Sequence, residues 1–282
     1  MTYKTLIDNL ESFVEAHDKS TFVVKYVVKE LSLLSATDLY MNMNETVSDA
    51  LIHHIQSVIH TYVYDHVPID YLLGYRYFYG HKILVNEHVL IPRNETEELV
   101  EYILMYTDGF DQPLTVLDLG TGSGCIGLTL KKENPKLHVI LSDISPKALE
   151  LVSKNAENLE INVKMIQSDW LHDIDGIFDI IVSNPPYIPD DEGVGDTVHN
   201  EPNLALYGGG SGLKHYEQIL KQIHKHMHEK TLIAFEHGYQ HKEALHQLIH
   251  KYLDHVHVVT KKDMQGRDRM TFITHSSQSF QF

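Results

Sequence analysis

The sequence predicts a doubly wound α/β domain: seven strands in a mostly parallel sheet, the last one antiparallel, preceded by a small helical bundle. Three observations carry this. From residue 113 onward, short β-branched runs alternate with amphipathic segments. The first of those runs ends in a glycine-rich turn, Asp118-Leu-Gly-Thr-Gly-Ser-Gly124. Residues 1 to about 70, by contrast, carry apolar residues at helical spacing. The expected domains are 1–70, a helical docking domain; 71–94, a β-hairpin linker; and 95–282, the α/β domain.

In the first region Leu6, Leu10, Phe13 and Val14 fall on one helical face. Ser20 is the expected cap of a second segment carrying Val23, Val24, Val27, Leu31 and Leu34. Thr37 and Asn44 mark expected starts for a short helix and a long one. The long one sets Leu51, Ile52, Ile55, Val58, Ile59 and Val63 on one stripe, and Pro68 ends the helical run. No catalytic cluster appears here, so the region reads as a docking module. Residues 75–85 are aromatic and β-branched around Gly80, a hairpin pattern. Val89-Leu-Ile reads as a strand stopped by Pro92. Asn94 with Glu97 approximates a capping box for a helix through Leu99, Val100, Ile103 and Leu104. Arg93 and Glu95 at that joint are expected to serve helix capping and a surface ion pair.

The strands of the α/β region are expected at 114–119, 139–143, 163–166, 178–183, 232–235, 256–259 and 270–273. Ser145 and Pro146 open one connecting helix as cap and first-turn proline. The last two strands have no room for a helix between them, which makes the last one antiparallel.

Composition narrows the function. With 23 Lys+Arg against 39 Asp+Glu, the formal net charge of −16 disfavours extended duplex binding, which calls for a basic face. The single cysteine, Cys125, excludes an intrachain disulfide framework and a cysteine-rich zinc site. No run reaches about 18 apolar residues, the length of a membrane span. A cytoplasmic protein, a monomer without membrane contact, is the expectation. Among 21 histidines, His224/His228 and His246/His250 are spaced to share a helix face; solvated surface histidines are the preferred reading, with no metal site.

Two stretches carry chemistry. The glycines at 120, 122 and 124 let a ligand approach backbone N–H groups at a helix N-terminus. Asp143, at the end of the next strand, stands where a ribose-binding acid belongs. Gly122-Ser-Gly-Cys-Ile-Gly127 also fits the dinucleotide fingerprint, so these residues alone do not separate NAD from S-adenosylmethionine. The second stretch is Asn184-Pro-Pro-Tyr187, where two prolines stop a strand and leave their carbonyls free. Asn184 and the Pro185 carbonyl can each accept one N–H of a planar NH2 group, and Tyr187 can cover its face. The fourth strand should end beside the glycine-rich turn, bringing this grip next to the cofactor. A methyltransferase acting on an NH2 group needs that arrangement; a nicotinamide enzyme needs a general acid.

These motifs resemble class I S-adenosylmethionine-dependent amino methyltransferases. Val89-Leu-Ile-Pro-Arg-Asn-Glu-Thr-Glu97, Glu201-Pro-x-x-Ala-Leu-x-Gly-Gly209, Asp263-Met-Gln-Gly-Arg-Asp-Arg269 and the helical N-terminal region resemble one branch closely, the peptide chain release factor glutamine methyltransferases. The ribosomal protein L3 glutamine methyltransferases resemble the chain less at 95–97. The family usually has proline where Asn94 stands and an acid where Ser211 stands. The resemblance implies that Gly120, Thr121, Gly122, Ser123 and Gly124 cradle S-adenosylmethionine, that Asp143 bonds its ribose, that Trp170 lies against its adenine, and that Asn184 also contacts the cofactor. It implies that Asn184, Pro185, Pro186 and Tyr187 bind and activate a glutamine of class 1 peptide chain release factors. The competing reading is an adenine-N6 methyltransferase of nucleic acid, which the charge balance opposes.

Overall fold

The computed structural model describes residues 1–193, 195 and 198–275. The chain divides into two compact units, Met1–Tyr75 with Val194–Asn200, and Arg76–Gly193 with Glu201–Phe282.

The first unit is helical: α1 (Tyr3–Glu15), α2 (Phe22–Ser32), α3 (Ala36–Met41), α4 (Asp49–Tyr64) and α5 (Ile69–Leu73). The expected stripes are inside it, with Leu6, Leu10, Val14, Val24, Val27, Ile55 and Ile59 buried in one core. Phe13 lies at its edge, against the rings of His17 and His60. The caps differ from expectation. Ser35 caps α3 and Ser48 caps α4, each hydroxyl accepting a backbone N–H three residues on, rather than Thr37 and Asn44. Ser20 does not cap α2; Thr21 holds that position without a side-chain bond. Pro68 opens α5 instead of ending the bundle, consistent with a residue that lacks an N–H and suits a helix start.

A hairpin follows, β1 (Tyr75–Phe78) and β2 (His81–Leu84), which from Arg76 onward belongs to the second unit. Tyr79 and Gly80 at its tip both take positive φ, 50° and 76°, as a tight two-residue turn requires. Residues 89–91 form no strand. Helix α6 (Asn94–Thr107) follows without a side-chain cap: Arg93, not the expected Asn94, holds the cap position, and Asn94 Oδ1 accepts from Arg76 Nη2 at 3.0 Å. Then come β3 (Thr115–Leu119), α7 (Cys125–Glu133), β4 (His138–Asp143), α8 (Pro146–Asn158), β5 (Lys164–Gln167) and β6 (Phe178–Ser183). The rest is α9 (Asn203–Leu206), α10 (Lys214–Leu220), β7 (Met227–Glu236), α11 (Lys242–Tyr252), β8 (Val256–Lys262) and β9 (Asp268–His275).

The sheet order is β5-β4-β3-β6-β7-β9-β8. Every pairing is parallel except those of β9, which runs antiparallel to both neighbours. Residue alternation sends Val116, Ile180, Val182, Leu232 and Phe272 to one face, under α6, α7 and α8. Leu117, Ile181, Ile233, Phe235 and Ile273 go to the other, under α10 and α11. Each such fully buried side chain contributes about 1.5–3 kcal/mol of apolar burial. The order reverses between β3 and β6, which pair with Leu119 opposite Ser183. Ligands of open α/β sheets bind at the carboxyl ends of strands at such a reversal. There the chain turns into Gly120–Gly124 on one side and Asn184–Tyr187 on the other.

His224 and His228 do not share a helix; one lies in a short 3-10 turn and the other on β7, bonded to Asp179. His246 does lie on α11 and bonds Thr260 Oγ1 at 2.7 Å. Among the described residues, no group of three His, Cys, Asp or Glu is arranged to hold a metal, and no helix is long and apolar enough to cross a membrane.

Candidate active site

The turn after β3 is tied from beneath by Asp118. Its Oδ2 accepts from the Thr121 hydroxyl at 2.6 Å and from the Gly127 N–H at 3.0 Å. The carboxylate is fully buried, and desolvation pushes its pKa up to about 6 against those two bonds. Gly127 must be glycine, since a Cβ there would stand 2.1 Å from Leu141 Cδ2. Gly122 adopts φ 57° and has nothing within 4 Å of where a Cβ would be, so the loop is left-handed and bare on that side. Asp143 closes the loop from β4. Its Oδ2 accepts from Gly122 N at 2.8 Å and its Oδ1 from Ser145 N at 2.9 Å. Burial raises the Asp143 pKa while these N–H donors oppose the rise. Ser145 caps α8 through Ala148 N, with Pro146 in the first turn, as expected.

Opposite, Trp170 takes a left-handed φ of 52°, a conformation costing a non-glycine residue about 1–2 kcal/mol. Ser168 holds it, its hydroxyl donating to the Trp170 carbonyl at 2.9 Å. The indole lies over Gly120, where a Cβ would meet it at 3.1 Å, and the His215 ring stands 5.2 Å from it. These walls enclose a cavity of about 430 Å³, within the range of small-molecule sites. Of the residues expected from sequence, Gly120, Thr121, Gly122, Ser123, Asp143, Trp170, Asn184 and Pro186 line it. Gly124, Pro185 and Tyr187 do not. Gly124 sits beneath the loop against Leu128, Pro185 is buried, and the Tyr187 ring packs edge-on to His241 at 6.3 Å.

At the end of β6, Ser183 Oγ donates to the Leu119 carbonyl at 2.7 Å and locks the two strand ends together. Asn184 follows, its Nδ2 3.4 Å from Thr96 Oγ1. The segment 206–212 buttresses the loop from behind. Ile188 N donates to the Leu206 carbonyl at 3.0 Å, and Gly208 N to the Ile188 carbonyl at 2.8 Å. A Cβ at Gly208 would stand 2.6 Å from the Pro186 carbonyl oxygen, so only glycine lets the two segments close.

Sequence reasoning missed several contributors. Arg93 pairs not with Glu95 but with Glu201, Nη2 to Oε1 at 2.5 Å, and the same carboxylate accepts from Ile91 N at 3.1 Å. Asp263 shapes the β8–β9 turn through Gln265 N and Arg267 N and holds Arg269 Nε at 3.2 Å. Asn155, fully buried, joins the β2 backbone to the Ser123 carbonyl. Thr96 and Glu236 face Asn184. The stretches at 89–97, 201–209 and 263–269 signalled the first of these positions; nothing local signalled Asn155 or Glu236.

Fold and site together define a class I, Rossmann-like methyltransferase. The methyltransferase small domain family matches residues 102–211. The fold is shared with the ribosomal protein L11 methylase of Lactobacillus delbrueckii subsp. bulgaricus, at 20% identity, TM-score 0.51, covering 71% of this chain and 90% of that one. A methyltransferase from Pyrococcus furiosus matches at 18% identity and TM-score 0.52, with the same coverage. The chain belongs to the release factor glutamine methyltransferase family. It is 36% identical to the member from Bacillus cereus over 93% of this chain and 95% of that protein. It is 36% identical to that of Streptococcus pneumoniae over 97% and 98%, and 42% identical to that of Bacillus subtilis over 72% and 74%.

Proposed function

We propose that this protein transfers a methyl group from S-adenosylmethionine to the side-chain amide nitrogen (N5) of the glutamine in the Gly-Gly-Gln motif of class 1 peptide chain release factors, modulating translation termination. The observation that carries this reading is the meeting of the β3 and β6 strand ends, which puts the Gly120–Ser123 loop and Asn184 on one cavity. The cofactor fits the residues present. The bare side of Gly122 admits a close ligand, Asp143 carries carboxylate lone pairs beyond those its N–H donors occupy, and Trp170 offers a flat wall. Gly120 to Ser123 would hold the methionine part, Asp143 the ribose and Trp170 the adenine. When bound, S-adenosylmethionine supplies a sulfonium-activated methyl group.

An amide nitrogen is a weak nucleophile because its lone pair is delocalised into the carbonyl. Asn184 Oδ1, on the cavity wall, accepts an amide N–H and stabilises charge developing on the nitrogen as its lone pair forms the new N–C bond; the Pro185 carbonyl, expected to take the second N–H, lies off that wall. This interaction strengthens toward the transition state, so it raises turnover rather than affinity alone. As that bond forms, the bond between the methyl and sulfur would break, leaving S-adenosylhomocysteine, and the nitrogen would then release one proton to water. Tyr187, whose pKa burial pushes up to about 12, remains a neutral phenol; its ring lies against His241, off the cavity wall, rather than over the amide face expected from sequence. Rigid placement in line with the methyl supplies much of the rest of the rate. The net charge of −16 suits a basic, RNA-facing partner, and the helical unit is the second contact with it. The deciding experiment incubates the protein with labelled S-adenosylmethionine, a class 1 release factor and nucleic acid together. Label on the release factor supports the reading; label on nucleic acid establishes the adenine-N6 alternative instead.

A further inference from the structure

Glu236, a buried acid at the end of β7, has no part in the chemistry above. It is 1% exposed, and its Oε2 has no hydrogen-bond partner among the described residues. Thr96 from α6 and Asn184 from the end of β6 stand beside its carboxylate, and both oppose the rise that burial gives its pKa. The charged groups facing it are Arg269 on β9 and Glu95 on α6. Tyr187, Tyr216 on α10 and Cys125 on α7 also feel its charge, and burial raises the pKa of all three.

An ionised carboxylate only accepts hydrogen bonds. Beside it, the Thr96 hydroxyl can offer its one proton only to an acceptor, and the nearby carboxylate is one. Its oxygen is then an acceptor for Asn184, and Asn184 Nδ2 stands 3.4 Å away. Only the NH2 end of the Asn184 amide satisfies this pair. The carbonyl end, Oδ1, is left for the cavity. The two ends of an amide are nearly identical in shape, so shape does not make this choice; the acceptor-only carboxylate does. Turned the other way, Asn184 would aim an N–H at the N–H of the incoming amide.

We propose that Thr96 and Glu236 are positioning residues that fix the Asn184 amide with Oδ1 toward the substrate nitrogen. This deepens the methyltransferase reading and rests on it. The ionised form of Glu236 is the working one. Activity is therefore full above its pKa and declines as pH falls through it. Burial pushes that carboxyl up to about 7, which sets the acid limb near neutrality.

The test measures kcat and KM for methylation of a purified class 1 release factor over about pH 6–9, with full-length wild type, Thr96→Ser, Thr96→Val and Glu236→Gln. Calorimetric cofactor binding shows that each variant is folded. Thr96→Ser is expected to keep most of kcat, and Thr96→Val and Glu236→Gln to lose roughly tenfold to a hundredfold with unchanged KM for the cofactor. Glu236→Gln should also lose the acid limb. Wild-type kcat in Glu236→Gln, or an acid limb that persists in it, overturns the proposal; should Thr96→Val not fold, these two readouts decide alone. Absence of methylation by wild type would instead defeat the underlying reading of function.

Discussion

Asp118 and Glu236 are both buried carboxylates at strand ends, pushed up by desolvation to about 6 and about 7. They differ in what they hold. Asp118 ties a hydroxyl and a backbone N–H of its own loop, Thr121 and Gly127. Glu236 faces side chains of two other elements, Thr96 and Asn184. The cofactor side of the site is thus shaped by backbone and glycine, within a few residues of one turn. The amide side is shaped by side chains that meet only when the sheet closes. Rigid backbone suits a ligand recognised by its outline; an oriented side-chain amide suits a step that depends on which atom points where.

The comparison can be broken most visibly at Asn184. Asn184→Ala is expected to lower kcat by roughly 100–1,000-fold, as removal of a transition-state contact does, while leaving cofactor affinity within about twofold by calorimetry. A parallel loss of cofactor binding would erase the distinction between the two sides. Asp118→Ala should do the reverse. Leaving Thr121 and Gly127 without their acceptor costs about 3 kcal/mol of stability in denaturant unfolding and weakens cofactor affinity about tenfold, with turnover recovering at saturating cofactor.

Glu236→Gln sharpens the contrast through pH. The folded chain keeps the Glu236 proton up to about pH 7, whereas an ordinary glutamate releases it near 4.5. Between those values the wild type loses stability as pH rises, because the folded state binds the proton more tightly. The glutamine variant carries no such penalty. Its stability advantage should grow from about pH 5 to 7 and then level off, at about 3 kcal/mol, even as its turnover falls. A Tm difference that does not change with pH would mean that Glu236 is not held as a desolvated acid. The smallest effect is a control in the first unit. Ser48→Ala removes the α4 cap and should cost about 1 kcal/mol, with cofactor affinity and kcat unchanged.

The same division explains what the sequence revealed. The seven strands, the antiparallel last strand and the meeting of the β3 and β6 ends were legible because period-two burial and βα alternation are local patterns. The glycine loop and Asp143 were legible for the same reason. Helix starts at Ser35 and Ser48 were missed because several Ser, Thr and Asn residues compete nearby, and only the folded backbone selects one. Val89–Ile91 has strand composition but forms no strand; the Ile91 amide is taken by Glu201 instead. Arg93 with Glu201, and Thr96 with Asn184, join residues 108 and 88 positions apart, so no spacing argument reaches them.

The central claim is that the loop after β6 presents a glutamine amide to the cofactor beside it. Mass spectrometry of a class 1 release factor, after incubation with S-adenosylmethionine and either wild type or Asn184→Ala, tests it most directly. The account predicts a single methyl group on the side-chain nitrogen of the Gly-Gly-Gln glutamine with wild type, and its near absence with Asn184→Ala under conditions where that variant still binds the cofactor. Equal methylation by both proteins, or a methyl group on any other residue, would contradict it.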